Sequence, residues 1–462
     1  MIHKFKNLGQ YIVLDVASGA IHSLDEKAYE LLDCFDENGK FLPEKAAEQG
    51  YEGPEYDEAL DELNSLIEEK LLFTKDIYAE LAKHWDKKSV VKALCLHIAH
   101  DCNLRCKYCF ADGGEYMGKR ELMSAEVGKK AIDFVIEQSQ NRRNIEIDYF
   151  GGEPLMNFDV VKEITEYAKE QGKLHDKVFR FTITTNGVLL DEDKQAYINE
   201  NMSNVVLSLD GRKDVHDAVR KRVDGSGSYD RVVPKFQKLA DSRDQNNYYV
   251  RGTFTRDNLD FAEDVRHLME LGFEQISVEP VVAPETEDYS LRREDLPAIF
   301  AEYDRLAEYL VDTRKSGKFV NFFHFMVDLE QGPCAYKRLA GCGSGHEYLA
   351  VTPSGDLYPC HQFVGKPEFK MGTVFEGKLD SGIRDSFMKS NIYTKEDCAK
   401  CWNRFYCSGG CAANAFNMNG DINKPYEIAC EMQKKRTECA IAMAASLAAG
   451  VTLDPAQVHG DN

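Results

Sequence analysis

Three cysteines in the run Cys102-Asn-Leu-Arg-Cys106-Lys-Tyr-Cys109 have the spacing C-x3-C-x2-C. Three thiolates can hold a 4Fe–4S cluster and leave its fourth iron without a protein ligand. An iron left open in this way can take a small chelating molecule. Zinc is the competing reading. It wants a fourth ligand, and His97 and His100 are near in sequence. A second, longer series follows: Cys334, Cys342, Cys360, Cys398-x2-Cys401-x5-Cys407-x3-Cys411 and Cys430. Three polar motifs each close an apolar run. They are Gly151-Gly152-Glu153-Pro154, Thr184-Thr185-Asn186-Gly187 and Ser208-Leu209-Asp210-Gly211. A glycine pair lets backbone approach a ligand closely. Asn-Gly and Asp-Gly pairs are also ordinary turn formers, so the last two motifs read equally well as plain turns.

The elements that must position these motifs can be read from periodicity. Short β-branched and apolar runs predict strands at 93–98, 145–150, 179–184, 204–210, 249–255 and 275–280. Helical periods follow each of them, at 124–140, 158–171, 191–199, 232–243, 260–271 and 296–315. Ser124 reads as an N-cap, and Gly172 and Gly272 as helix stops. Alternating strands and helices imply an α/β fold with a parallel sheet and right-handed crossovers. Six units would make a partial barrel open on one side, and a doubly wound sheet fits the same periodicity. Residues 1–80 differ: two strands within 11–24 around a Ser18-Gly19 turn precede helices near 26–33 and 56–71. Residues 81–92, with the polar stretch Trp85 to Ser89, read as a linker, 93–317 as the barrel, and 318–450 as a cysteine-rich domain that depends on metal for its fold.

Composition excludes several function classes. The net charge of −21 over 462 residues, with no basic stripe, argues against nucleic acid and anionic membrane as partners. The N-terminus lacks a signal-like apolar run, and the longest apolar stretch, 440–451, is too short to span a bilayer. A cytoplasmic location is therefore expected. In a reducing compartment fourteen cysteines read as metal ligands rather than disulfides. Cys34, Cys95 and Cys439 stand outside both series and read as buried structural thiols.

The triplet Cys102, Cys106, Cys109 followed by Gly151-Gly152-Glu153 resembles the radical S-adenosylmethionine (SAM) superfamily. The resemblance favours the barrel over the doubly wound sheet. It implies that SAM occupies the open iron through its amino and carboxylate groups. It also implies that Gly151, Gly152 and Glu153 meet the amino group, and that Asn186, Ser208 and Asp210 face the ribose and carboxylate. Tyr108 would lie near the adenine, with Arg220 and Arg251 as further candidates. The second cysteine series resembles the seven-cysteine SPASM signature. Carried over, Cys398, Cys401, Cys407 and Cys430 hold one auxiliary 4Fe–4S cluster, and Cys342, Cys360 and Cys411 hold another. Cys334 would complete the latter, or its iron stays open for a substrate thiol. The implied cofactors are SAM and three 4Fe–4S clusters.

The first eighty residues resemble a winged-helix peptide-recognition element, which takes a leader peptide as an added strand. A plain structural cap is the alternative. The whole chain resembles the SCIFF-peptide maturases (six cysteines in forty-five residues). His3-x-Phe5, Tyr11 to Val16, and the segment from Cys342 to His361 carry that likeness. The likeness implies an enzyme that joins a cysteine sulfur to a carbon of a small cysteine-rich precursor peptide, with flavodoxin or ferredoxin as electron donor. His361 stands where sulfatase maturases carry an aspartate, which argues against sulfatase maturation. His361 and Glu347 are candidate bases. Carbon–carbon crosslinking, epimerisation and a non-catalytic iron–sulfur or zinc peptide-binding protein are the alternatives.

Overall fold

In the strand Asn144–Gly151, every second residue is apolar and buried, while the residues between are more exposed; the strand Ala93–His100 is buried at every position. Ile145, Ile147 and Tyr149 are buried; Glu146, Asp148 and Phe150 alternate with them on the other face. This two-faced pattern sets the architecture seen in the computed structural model, which describes residues 1–83, 89–116, 118–329 and 338–448. Cys334 and residues 85–88 of the linker candidate lie outside the described residues.

The N-terminal sheet has three antiparallel strands in the order β1 (Ile2–Asn7), β2 (Gln10–Asp15) and β3 (Ile21–Leu24). Strand β1 and the helices Pro43–Gln49 and Tyr78–Lys83 are additions to the sequence reading. All three elements are short, and β1 carries two lysines that break its apolar pattern.

The barrel strands are β4 (Ala93–His100), β5 (Asn144–Gly151), β6 (Val178–Thr185), β7 (Asn204–Ser208), β8 (Tyr248–Phe254) and β9 (Gln275–Pro280). They are parallel and lie in sequence order, the topology of a partial (β/α)6 radical SAM barrel. Two-residue strand β10 (Asn321–Phe322) adds to β9. On the opposite edge β11 (Tyr348–Val351) pairs parallel with β4, and β12 (Asp356–Tyr358) and β13 (Gly372–Thr373) continue antiparallel. The cysteine-rich segment is thus sheet-continuous with the barrel.

The helix after β5 does not stop at Gly172 as expected but runs Phe158–Leu174. A Cβ on Gly172 would stand 2.8 Å from the Lys177 carbonyl oxygen, so this glycine serves packing. Ser124 caps its helix, accepting from the Val127 N–H at 3.3 Å. The C-terminal segment holds a 22-residue helix, Glu427–Ala448, that the sequence reading missed. It packs on the helix Leu296–Lys315 and on β1 and β2. No helix among the described residues is long and apolar enough to cross a membrane.

Candidate functional site

The loop that leaves β4 carries Cys102, Cys106 and Cys109. It is held in two ways. Its stretch Leu104–Cys106 pairs antiparallel with Arg220–Arg222, placing Arg220 opposite Cys106. Beneath it lies the Gly151-Gly152 turn. Glycine is required there: a Cβ on Gly151 would meet the Ala99 oxygen at 2.4 Å, and one on Gly152 the Asp101 oxygen at 2.0 Å. Gly151 also has φ of 122°, which disfavours any side chain.

A cavity of about 260 Å³ opens over this loop. Cys102, Cys106, Cys109, Tyr108, Gly151, Gly152, Asn186 and Ser208 line it, as do Arg220 and Arg251. Burial pushes the Cys102 thiol up to about 12, and the nearby Glu153, Cys106 and Cys109 add to the rise. Cys106 is pushed up to about 11, again mainly by burial, with Arg220 acting in the opposite sense. Cys102 Sγ accepts the Leu104 N–H at 3.4 Å and the Asn186 Nδ2 at 3.6 Å.

Two residues expected at SAM do not line the cavity. The Glu153 carboxyl is wholly buried and engaged by the protein. Oε1 accepts from the Leu155 N–H (2.9 Å) and Thr185 hydroxyl (2.8 Å), and Oε2 from the Asn186 N–H (2.8 Å). Burial raises it to about 7 despite those bonds. It staples the ends of β5 and β6 together. Asp210 is likewise buried and bonded to Tyr108, Arg220 and the Thr253 N–H. Only Gly151 and Gly152 of the Gly-Gly-Glu motif face the cavity.

The far wall of the cavity comes from the cysteine-rich segment: His361, Gln362 and Asn414. The His361 ring lies 5.0 Å from Phe150 and 5.7 Å from Phe110, with Nδ1 3.2 Å from the Tyr348 hydroxyl. Burial lowers it to about 4, and Arg251 adds to this. The other candidate base, Glu347, is paired with Lys92 at 2.6 Å and does not line the cavity. Arg251 and Glu279, which the sequence reading used little or not at all, form an ion pair of 2.9 Å in the wall. Both follow from the period-two pattern of β8 and β9, which alternates with the buried residues. His97 and His100 bond to each other at 2.9 Å and pack on Tyr116.

The remaining thiols fall into two sets. Cys398, Cys401, Cys407 and Cys430 surround a second cavity of about 560 Å³ and act electrostatically on one another. Cys342, Cys360 and Cys411 form the other set. Backbone N–H groups of Gly409 and Gly410 point at Cys407, and those of Ala413 and Asn414 at Cys411. Thiols that receive N–H donors suit an iron–sulfur cluster, whose sulfurs are hydrogen-bonded in this way. Asn403 and Arg404 line the second cavity, and among the described residues the buried Asn403 Oδ1 and Arg404 Nε have no hydrogen-bond partner. That is the state expected of groups that face an occupant. Among the described residues, no three His, Cys, Asp or Glu side chains close on a single-ion site.

Comparisons with known proteins agree with this geometry. Residues 96–265 match the family described as the Radical SAM superfamily. A cysteine-type anaerobic sulfatase-maturating enzyme of Clostridium novyi is 26% identical over 332 residues, covering 68% of this chain and 86% of that protein. Among solved structures, anSMEcpe with bound AdoMet and the Kp18Cys peptide superposes with a TM-score of 0.63 at 20% identity, over 78% of this chain and 99% of that one. Streptococcus suis SuiB bound to S-adenosylmethionine superposes with a TM-score of 0.51 at 18% identity, over 91% of this chain and 96% of that one.

Proposed function

Residues 96–265 of this chain form a radical SAM domain, and from that premise we propose that it makes an intramolecular thioether in a small, cysteine-rich, ribosomally made precursor peptide. One observation carries the reading. The cavity beside Cys102, Cys106 and Cys109 is closed on its far side by residues that directly follow Cys360 and neighbour Cys411. A substrate there would touch the SAM end and the second cysteine set at once. The sulfatase-maturating relative and the peptide held by anSMEcpe support a peptide substrate.

When bound, the barrel cluster and SAM supply a 5′-deoxyadenosyl radical, at the cost of one electron from an external reductant such as flavodoxin or ferredoxin. The chain's own residues do the rest. Gly151 and Gly152 give SAM room against the sheet, and Tyr108, Asn186 and Ser208 form its walls. That chemistry would remove a hydrogen atom from a peptide carbon held in the cavity, leaving 5′-deoxyadenosine. The peptide thiol gives its proton to a base, for which His361 is the cavity residue of suitable type. Sulfur would then bond to that carbon, and the one electron left over would pass to a cluster held by the auxiliary cysteines. Two hydrogens are lost overall and the electrons balance. The clusters proposed for Cys398, Cys401, Cys407 and Cys430, and for Cys342, Cys360 and Cys411, serve this exit, which sulfatase maturation and crosslinking would both use. The leader of the peptide adds to the N-terminal sheet.

The test is anaerobic incubation with SAM, a reductant and a small cysteine-rich peptide that carries a leader sequence, followed by mass spectrometry with and without thiol alkylation. A thioether lowers the mass by two hydrogens and removes one alkylation site. Unchanged mass means epimerisation, and mass loss with every thiol still reactive means a carbon–carbon crosslink. Either result overturns the proposal.

A further inference from the structure

Asp210 is where the family resemblance and the geometry diverge. Its carboxylate is wholly buried and does not line the SAM cavity. Three segments donate to it. Tyr108 Oη, from the cysteine loop, lies 2.8 Å from Oδ1 and 2.7 Å from Oδ2. Arg220, from the strand opposite that loop, makes a two-pronged pair through Nε (2.9 Å) and Nη2 (3.1 Å). The Thr253 N–H at the end of β8 donates at 2.9 Å. The backbone of Asp210 is tied as well. Its N–H meets His216 Nδ1 at 3.4 Å, His216 Nε2 meets the Ser228 hydroxyl at 2.8 Å, and that hydroxyl donates to the Arg220 oxygen at 2.7 Å.

Arg220 in turn reaches the cysteines. Its backbone pairs with Cys106, its guanidinium places a positive charge beside the Cys106 thiol, and it lies 5.5 Å from the Tyr108 ring centroid. The guanidinium fork can serve Cys106 and Tyr108 together only while a carboxylate fixes its plane. With Asp210 neutralised, a buried cation loses its counter-charge and must move or draw in water.

We propose that Asp210 is a positioning residue for the barrel cluster: acting through Arg220 and Tyr108, it fixes the Cys106–Cys109 stretch on the barrel rim and makes no contact with SAM. The proposal rests on Cys102, Cys106 and Cys109 as cluster ligands. It is independent of the peptide and of the thioether, so it stands or falls apart from them. Charge beside the cluster sulfurs is one determinant of reduction potential. A loosened Arg220 therefore alters the cluster even before SAM arrives.

The experiment uses the reconstituted full-length enzyme and the variants Asp210→Asn, Arg220→Met and the double variant. The electron paramagnetic resonance spectrum and midpoint potential of the barrel cluster are recorded without SAM and again with it. The barrel signal is the one lost in a Cys102/Cys106/Cys109→Ala control. Each single variant is expected to shift the SAM-free signal, and the double variant to shift it no further than the larger single change, because both act through one contact. If Asp210→Asn has the wild-type SAM-free signal and potential but binds SAM about tenfold more weakly, Asp210 touches SAM and the proposal is wrong. Shifts that add in the double variant, or a wild-type signal in Arg220→Met, overturn it too. Tyr108→Phe removes one O–H bond and leaves the ion pair, so it covers the case in which Asp210→Asn does not fold. It should give a smaller shift of the same sign, and a wild-type signal there would contradict the hub.

Discussion

Single residues carry most of the chemistry, and several do so by being spent inside the protein. Glu153 is the clearest case. Its carboxyl lies at about 7 against an ordinary 4.5, because burial outweighs three hydrogen bonds. The folded state therefore holds this proton more tightly than the unfolded chain does. Stability from this group is fully present below about 4.5 and is lost as pH rises through about 7. Glu153→Gln should remove that slope, flattening the denaturation midpoint between about pH 4.5 and 7 relative to wild type. It should also cost about 1–3 kcal/mol at pH 6, since one amide N–H would face the Asn186 N–H. An unchanged slope would mean that the carboxyl is ordinary. The Gly-Gly pair and the cysteine triplet were legible from sequence, because spacing and φ demands are local. The inward turn of Glu153 and Asp210 was not, since it depends on which donors the ends of the neighbouring strands supply.

At the scale of elements, the site is a loop pressed onto a turn. Gly152→Ala puts a methyl 2.0 Å from the Asp101 oxygen. Backbone cannot yield as a side-chain tip can, so the change should cost at least ~3 kcal/mol. Chemical denaturation and the iron content of the barrel set would both register it, and full iron loading would contradict the close approach. The strand-helix alternation of 93–317 was readable because buried strands and amphipathic helices have distinct periods. Strand β1 and the Glu427–Ala448 helix escaped because charged residues dilute their apolar pattern. In the N-terminal sheet, β3 pairs only with β2 among the described residues. The Asp15 N–H bonds the Ala20 oxygen, so by alternation Ile21 and Ser23 point their backbone groups away from β2. Ser23→Pro removes one outward donor and leaves the ladder intact. It should weaken binding of a leader-bearing peptide, measured by fluorescence anisotropy, while SAM cleavage without peptide is unchanged. Equal affinity would make the sheet a cap.

Across the whole molecule, the N-terminal sheet and the cysteine-rich segment are packed together rather than strung along the chain. Phe5, Ile12 and Leu14 meet Ile441 and Ala442 in one apolar cluster. The His3 ring stacks on Trp402 at 3.7 Å, and Asp76 pairs with Arg404 at 2.9 Å, both beside the Cys401–Cys407 loop. Sequence spacing treated residues 1–80 and the cysteine-rich segment as separate units and gave no sign that the first strand packs beside Cys401–Cys407. Contacts more than three hundred residues apart leave no periodic trace. The thiol sets should divide the labour. Cys398→Ala should retain 5′-deoxyadenosine formation and stop crosslinking, and Cys106→Ala should stop both. A Cys398→Ala enzyme that crosslinks at the wild-type rate, with that iron absent, would remove the auxiliary set from the reaction. The central claim is that the radical made at the barrel takes its hydrogen from the peptide that is crosslinked. A peptide carrying deuterium at its non-exchangeable carbon positions tests this most directly. The account predicts 5′-deoxyadenosine containing one deuterium for each crosslink formed. Crosslinked peptide accompanied by unlabelled 5′-deoxyadenosine would contradict it.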